Sequence, residues 1–181
     1  MDKKFIKDCI NGNRNAQYSF YKNYAPAMLG VCYRYTKNIE DAEDVLQEGF
    51  IKVFKNLYQY RFEGDVAAWI RRIMVNTAIS FINKHNNKAD ITIDDLEMHP
   101  ISNEQPDVNF NAKELVKLIQ QLPVGYQTIF NLVAIEGYEQ VEIAKLLKMN
   151  VNTVRSKYSR ARVMLIELLE RNTEAEKKRN A

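Results

Sequence analysis

Glycine and proline are scarce, six and four in 181 residues, and segments alternating apolar with polar side chains are almost absent. A half-buried strand needs that period-two alternation, so the shortage argues against a sheet-based core. Only ITI at Ile91 to Ile93 hints at extended chain. The two cysteines, Cys9 and Cys32, fall inside helical patterns, and the two histidines, His85 and His99, are remote from both. No zinc-ligand spacing results, no cofactor is expected, and each thiol reads as a small buried hydrophobe. Long apolar runs are missing too. Nothing approaches the roughly 18 residues of a membrane span, and MDKKFIKDCINGNRN at the amino terminus lacks the apolar core of a signal peptide. The expectation is a cytoplasmic protein with no stable membrane insertion.

What is present is helical periodicity, broken once. Hydrophobic residues make up 46%, an ordinary share for a globular protein. Helical spacing is expected near 3 to 10, 15 to 35, 41 to 58 and 66 to 84, and again near 112 to 121, 124 to 136, 138 to 148 and 152 to 171. The intervening text is polar and acidic, holds two of the four prolines and carries no sustained apolar face. The reading is all-α: a helical domain over 1–88, an acidic linker over 89–111, a second helical domain over 112–171 and a charged tail over 172–181. Residues 1–90 carry 14 basic and 10 acidic groups, 91–112 none and 5, and 113–181 carry 12 and 8. Two basic blocks around an acidic strap suggest two anion-binding modules.

In the stretch TVRSKYSRAR, Val154, Tyr158, Ala161, Leu165, Leu168 and Leu169 share one helical stripe, which is core. The opposite arc carries Arg155, Ser156, Ser159 and Arg160, with Lys157 between them in sequence. Such donors reach phosphates and guanine edges. Asn152 is the expected N-cap, and a tight turn through Met149 to Val151 joins this helix to the preceding one, where Ala144 takes a close-packed position. Met149 or Asn150 should supply the turn geometry, Asn being the better left-handed residue. Two helices joined this closely form a helix-turn-helix, whose second helix enters the major groove. Taken alone, a basic polar face is as consistent with simple solvation.

In IEDAEDVLQEGFIKVFKNL the apolar side gathers Ala42, Val45, Leu46, Gly49, Phe50, Val53 and Leu57. The other side shows Asp41, Asp44, Gln47, Glu48 and Lys55 around a single aliphatic, Ile51. An acidic face centred on one apolar residue suits a basic partner helix. A solvated face and a metal-dependent nuclease are the alternatives. In the next helix Ile70, Met74, Ala78, Phe81 and Ile82 point to a core, while Trp69, Arg72, Ile73, Asn76, Thr77, Ser80 and Lys84 form the other side. Just upstream come Tyr58, Tyr60, Arg61 and Phe62. Rings and cations together suit unstacked single-stranded bases, and Asn76 suits a base edge. Trp69 alone is more often a core residue.

The segments DAEDVLQEGFIKVFKNL, AAWIRRIMVNTAI, LPVGYQTIFNLVAIEGYEQVEIAKLL and VNTVRSKYSRAR, in this order, resemble a bacterial RNA polymerase sigma factor of the extracytoplasmic-function (ECF) type. The resemblance spans about residues 10 to 170. It implies a non-catalytic initiation factor that binds core RNA polymerase and promoter DNA, both as duplex and as melted strand. Asp41, Asp44, Gln47, Glu48 and Ile51 would contact the coiled-coil clamp of the polymerase largest subunit. Tyr60, Arg61, Phe62, Trp69, Arg72, Asn76 and Lys84 would hold the single strand of the minus-ten element. Arg155, Ser156, Lys157, Ser159 and Arg160 would meet the minus-thirty-five element, and the linker would thread towards the polymerase cleft. An anti-sigma factor is implied as a further partner, with Val163 and Ile166 as apolar area that could meet it. The turn KMNVN departs from the family by lacking glycine. An autonomous helix-turn-helix regulator, binding a palindrome without polymerase, stays open as the alternative.

Overall fold

A computed structural model of the chain describes residues 2–85 and 112–179, with side chains between 114 and 173 in the second stretch. The acidic linker expected over 89–111, with the ITI segment, lies outside the described residues. The chain divides into two compact units, Met1–His85 and Asn86–Ala181. No strand occurs among the described residues.

The first unit is built from α1 (Lys3–Ile10), α2 (Arg14–Tyr33), α3 (Ile39–Asn56), a single 3-10 turn (Leu57–Gln59) and α4 (Val66–His85). Side-chain oxygens start these helices by taking backbone N–H groups that have no partner within the helix. Asn13 Oδ1 accepts from Ala16 N at 3.1 Å, and Asn38 Oδ1 accepts from Asp41 N at 2.7 Å. Glu40 and Asp41 then occupy the first turn of α3, where the helix dipole favours negative charge. Phe20, Cys32, Val45, Val53, Leu57, Ile70, Met74 and Ala78 are almost wholly buried and form the core. Each large apolar side chain taken out of water contributes about 1.5–3 kcal/mol. Gly49 lies where α3 meets α4: a Cβ there would stand 2.9 Å from Met74 Cε and overlap its sulfur.

In the second unit α5 (Ala112–Gln121) and α6 (Val124–Phe130) pack on α8 (Val151–Arg179), while α7 (Gln140–Leu147) packs on the same helix nearer its start. Leu118, Ile119, Leu122 and Tyr126 close over Ala161 and Leu165. The continuous helix expected over 124–136 instead widens after Phe130 into a π turn over Asn131–Ile135, closed by Glu136 N donating to Asn131 O at 2.9 Å.

Three boundary expectations are corrected. The left-handed turn residue is Lys148, at φ 54° and ψ 45°, not Met149 or Asn150. Its position directly after the last helical residue is where the chain must reverse, and Met149 N donates to Ala144 O at 3.0 Å to close that end. Asn150, not Asn152, caps α8: its Oδ1 accepts from Asn152 N at 2.8 Å. Finally, no tail separates at Asn172, because α8 runs on to Arg179. The sequence TEAEKK after it is mostly strong helix formers, which propagate an existing helix at little cost.

Candidate polymerase and nucleic-acid interfaces

Burial of Ala42, Val45, Leu46, Gly49, Phe50 and Val53 against the rest of the first unit turns the acidic face of α3 outward. Asp44, Gln47 and Glu48 are exposed, Asp41 is half-exposed, and Ile51 keeps 68% of its surface in water. Leaving one aliphatic so bare among carboxylates is poor packing but a good anchor for a partner. Asp41 Oδ2 accepts from Asn38 Nδ2 at 3.0 Å, and Glu48 pairs with Lys52 at 2.7 Å one helical turn on. Exposed pairs of this kind contribute about 0.5 kcal/mol at most, so the face remains available to another cation. Glu40 and Glu43 are exposed on the same helix, and Tyr58, seven residues after Ile51, is 65% exposed. Tyr58, assigned by the sequence to the loop, lies in the 3-10 turn that follows α3.

The loop from Tyr60 to Asp65 is tightly determined. Tyr60 is 9% exposed; its hydroxyl donates to Gly64 O at 2.8 Å, and its ring lies 5.3 Å from Phe62 and 5.7 Å from Trp69, centroid to centroid. Phe62 adopts φ 59°, a conformation that bulky side chains rarely take, and Lys3 Nζ stands 5.5 Å over its ring. Asp65 Oδ1 accepts from Ala67 N at 3.0 Å and so starts α4. Tyr60 is thus a wall held from behind rather than an open platform. Phe62 and Trp69 are half-buried, and Arg61, Arg72, Asn76 and Lys84 are exposed. Two side chains depart from the expected faces of α4. Thr77, expected on the outer side, is 1% exposed, with its hydroxyl donating to Ile73 O at 2.8 Å and accepting from Lys52 at 3.3 Å. Phe81, expected in the core, is half-buried and stacks on His85 at 4.0 Å.

In the helix-turn-helix, Val154, Ala161 and Leu165 bury one side of α8, which leaves Arg155 and Ser156 exposed and Ser159 and Arg160 half-exposed. Arg155 Nε donates to Gln140 Oε1 at 3.3 Å, linking the two helices of the motif. Lys157 does not join this group. It is 6% exposed, with Nζ 5.3 Å over the ring of Tyr126, because position 157 rotates back towards α6. The expectation of a DNA contact from Lys157 is therefore withdrawn. Val163 and Ile166 are half-buried, while Val141 of α7 is half-exposed, an apolar spot that periodicity alone did not single out.

Burial shapes the titration of one group strongly. It pushes the Cys32 thiol up to about 12, and it raises Cys9 as well. Both are inert, protonated packing groups at neutral pH. Among the described residues no three His, Cys, Asp or Glu side chains gather to hold a metal ion, and no helix is long and apolar enough to cross a membrane.

Comparison with known proteins completes the description. Residues 20–88 match the family model for Sigma-70 region 2, and residues 112–165 match that for Sigma-70 region 4. The chain is 30% identical to the ECF RNA polymerase sigma factor SigW of Bacillus subtilis, with 91% of this chain and 95% of that protein covered. It is 28% identical to the ECF RNA polymerase sigma-E factor of Haemophilus influenzae, over 91% of this chain and 93% of that one. A solved structure of the sigma factor RpoE in complex with the anti-sigma factor NepR, from Bartonella quintana, shares the fold with a TM-score of 0.52 at 20% identity, covering 84% of this chain and 96% of that one.

Proposed function

The chain belongs to the extracytoplasmic-function family of bacterial RNA polymerase sigma factors, and from that membership we propose how its surfaces divide the work of initiation. A sigma factor binds core RNA polymerase and directs it to promoters. The observation that carries the reading is the presence, in one chain and in order, of a segment matching Sigma-70 region 2 and a helix-turn-helix segment matching Sigma-70 region 4. An autonomous regulator would have no use for the first.

In this reading the α3 face of Asp41, Asp44, Gln47, Glu48 and Ile51 docks a basic coiled coil of the polymerase, with carboxylates steering the approach and Ile51 as anchor. Arg155, Ser156, Ser159 and Arg160 enter the major groove of the minus-thirty-five element. The loop around Tyr60 to Asp65, with Trp69, Arg72, Asn76 and Lys84, holds the opened strand of the minus-ten element. Unstacking a base step costs a few kcal/mol, which stacking on rings and pairing of phosphates with cations offset. The chain's own residues make no covalent change. An initiation factor of this kind works where the polymerase is, in the cytoplasm. An anti-sigma factor is its expected antagonist, covering Ile51 or the half-buried Val163 and Ile166.

The test mixes the purified protein with core RNA polymerase and fragmented DNA of its own host and maps run-off transcripts. Discrete start sites sharing an upstream and a downstream element, lost on Asp44→Arg without loss of helicity, are expected. Tight polymerase-independent binding to a palindrome, with no transcripts, would instead make the first unit an effector domain.

A further inference from the structure

Reading by Arg155 has a cost that the helix-turn-helix itself reduces. A free arginine samples many rotamers, and fixing one on binding takes up part of the contact's value. In this fold the side chain does not start free. Gln140 opens α7, Arg155 lies in the second turn of α8, and the Gln140 carboxamide oxygen accepts from Arg155 Nε at 3.3 Å. Only Nε is used in this bond. The two terminal nitrogens of the guanidinium remain, and these form the fork that matches the O6 and N7 acceptors of guanine. The mount is itself secured. Glu142 Oε2 accepts from Glu139 N at 3.0 Å and fixes the first turn of α7, while Lys148 and the Asn150 cap set where α8 departs.

We propose that Gln140 is a positioning residue for promoter recognition, holding Arg155 through Nε so that the fork faces one guanine of the upstream element. The inference rests on the reading of α8 given above and adds a residue outside it. Gln140 does not touch the base. It narrows the range of bases and registers that Arg155 accepts, so its loss shows in discrimination at a single position.

The experiment uses the full chain with core RNA polymerase on a promoter recovered from the run-off mapping, together with variants carrying each base at each position of the upstream element. For Gln140→Ala, preference at the base read by Arg155 should fall roughly two- to tenfold, the range of one hydrogen bond. Preferences elsewhere, the salt dependence and the melting curve should stay as in the parent. Gln140→Met, which keeps length and removes the acceptor, should behave like Gln140→Ala. In the Arg155→Ala background, Gln140→Ala should have no further effect. A uniform loss across all positions would overturn the inference and make Gln140 a phosphate contact. An unchanged profile in both Gln140 variants, or effects that add to those of Arg155→Ala, would also overturn it. If Arg155→Ala itself leaves every preference intact, the assignment of the reading face fails and this inference falls with it. If Arg155→Ala shifts one position and the Gln140 variants do not, the inference alone fails.

Discussion

Replacing Gly49 with alanine should destabilise the first unit, although helix propensity alone predicts the opposite. Glycine in a helix interior costs about 1 kcal/mol relative to alanine, so an unobstructed substitution would stabilise by that amount. Gly30 in α2 is such a position, exposed and with nothing within 4 Å of where a Cβ would stand. At Gly49 the added methyl meets Met74, with Cε at 2.9 Å and the sulfur nearer still. Met74 is fully buried, so its thioether cannot retreat without moving Ile70, Ala78 or the facing residues of α3. Overpacking of a filled core costs about 1–3 kcal/mol. Set against the propensity gain of about 1 kcal/mol, this leaves a net loss of up to about 2 kcal/mol. Trp69, the only tryptophan, lies in the first unit, so its fluorescence during urea unfolding follows that unit selectively. The midpoint should rise for Gly30→Ala and fall for Gly49→Ala. Combining Gly49→Ala with Met74→Ala should cost less than the two changes separately, because the new methyl enters the space Met74 vacates, with a coupling of about 1 kcal/mol or more. A rise in midpoint for Gly49→Ala, or strict additivity in the double variant, would refute the crossing-point argument.

Further outcomes follow from the second unit and from the thiols. Arg155→Ala should weaken binding to the upstream element by about 1–3 kcal/mol in a titration of promoter DNA, whereas Lys157→Met should leave both affinity and salt slope unchanged while lowering the second unit's melting point through a lost cation–π contact of about 0.5–2 kcal/mol. Lys148→Gly should stabilise that unit by up to about 1 kcal/mol in a circular-dichroism melt, since Lys148 is exposed and glycine takes the left-handed conformation without strain. Cys32, at about 12 in the folded chain, binds its proton more tightly folded than unfolded. Its contribution to stability is therefore intact below the unfolded thiol value of about 8.5 and is lost, at about 1.4 kcal/mol per pH unit, as the pH climbs from there towards 12. Cys32→Ala should flatten that part of the stability profile in urea titrations followed by Trp69.

The helix pattern was legible because its apolar spacing is strong: α2, α3 and α4 begin and end within two residues of expectation. The charged face of α3 and the outward side of α8 followed from the same spacing, since burial of one stripe turns the other outward. Less was legible where several local solutions compete. Asn150 and Asn152 are both good caps, and only the path of the turn decides that the earlier one takes the N–H. Lys148 carries no sequence mark of a left-handed residue; the need to reverse direction after Leu147 imposes it. Lys157 looked like its basic neighbours, and its burial follows from the distance of Tyr126, which composition does not encode. Thr77 shows the same effect, a polar residue admitted to a core by its bond to Ile73 O.

Val154, Ala161 and Leu165 hold α8 in its unit from one side, while Arg155 and Ser156 stand in solvent on the other. The two sets share a backbone but few neighbours. Mutations in the solvent-facing set leave the folding free energy nearly untouched, so if that set reads the promoter as proposed, a lineage carrying this helix can drift from one promoter to another by single steps, each passing through a folded intermediate.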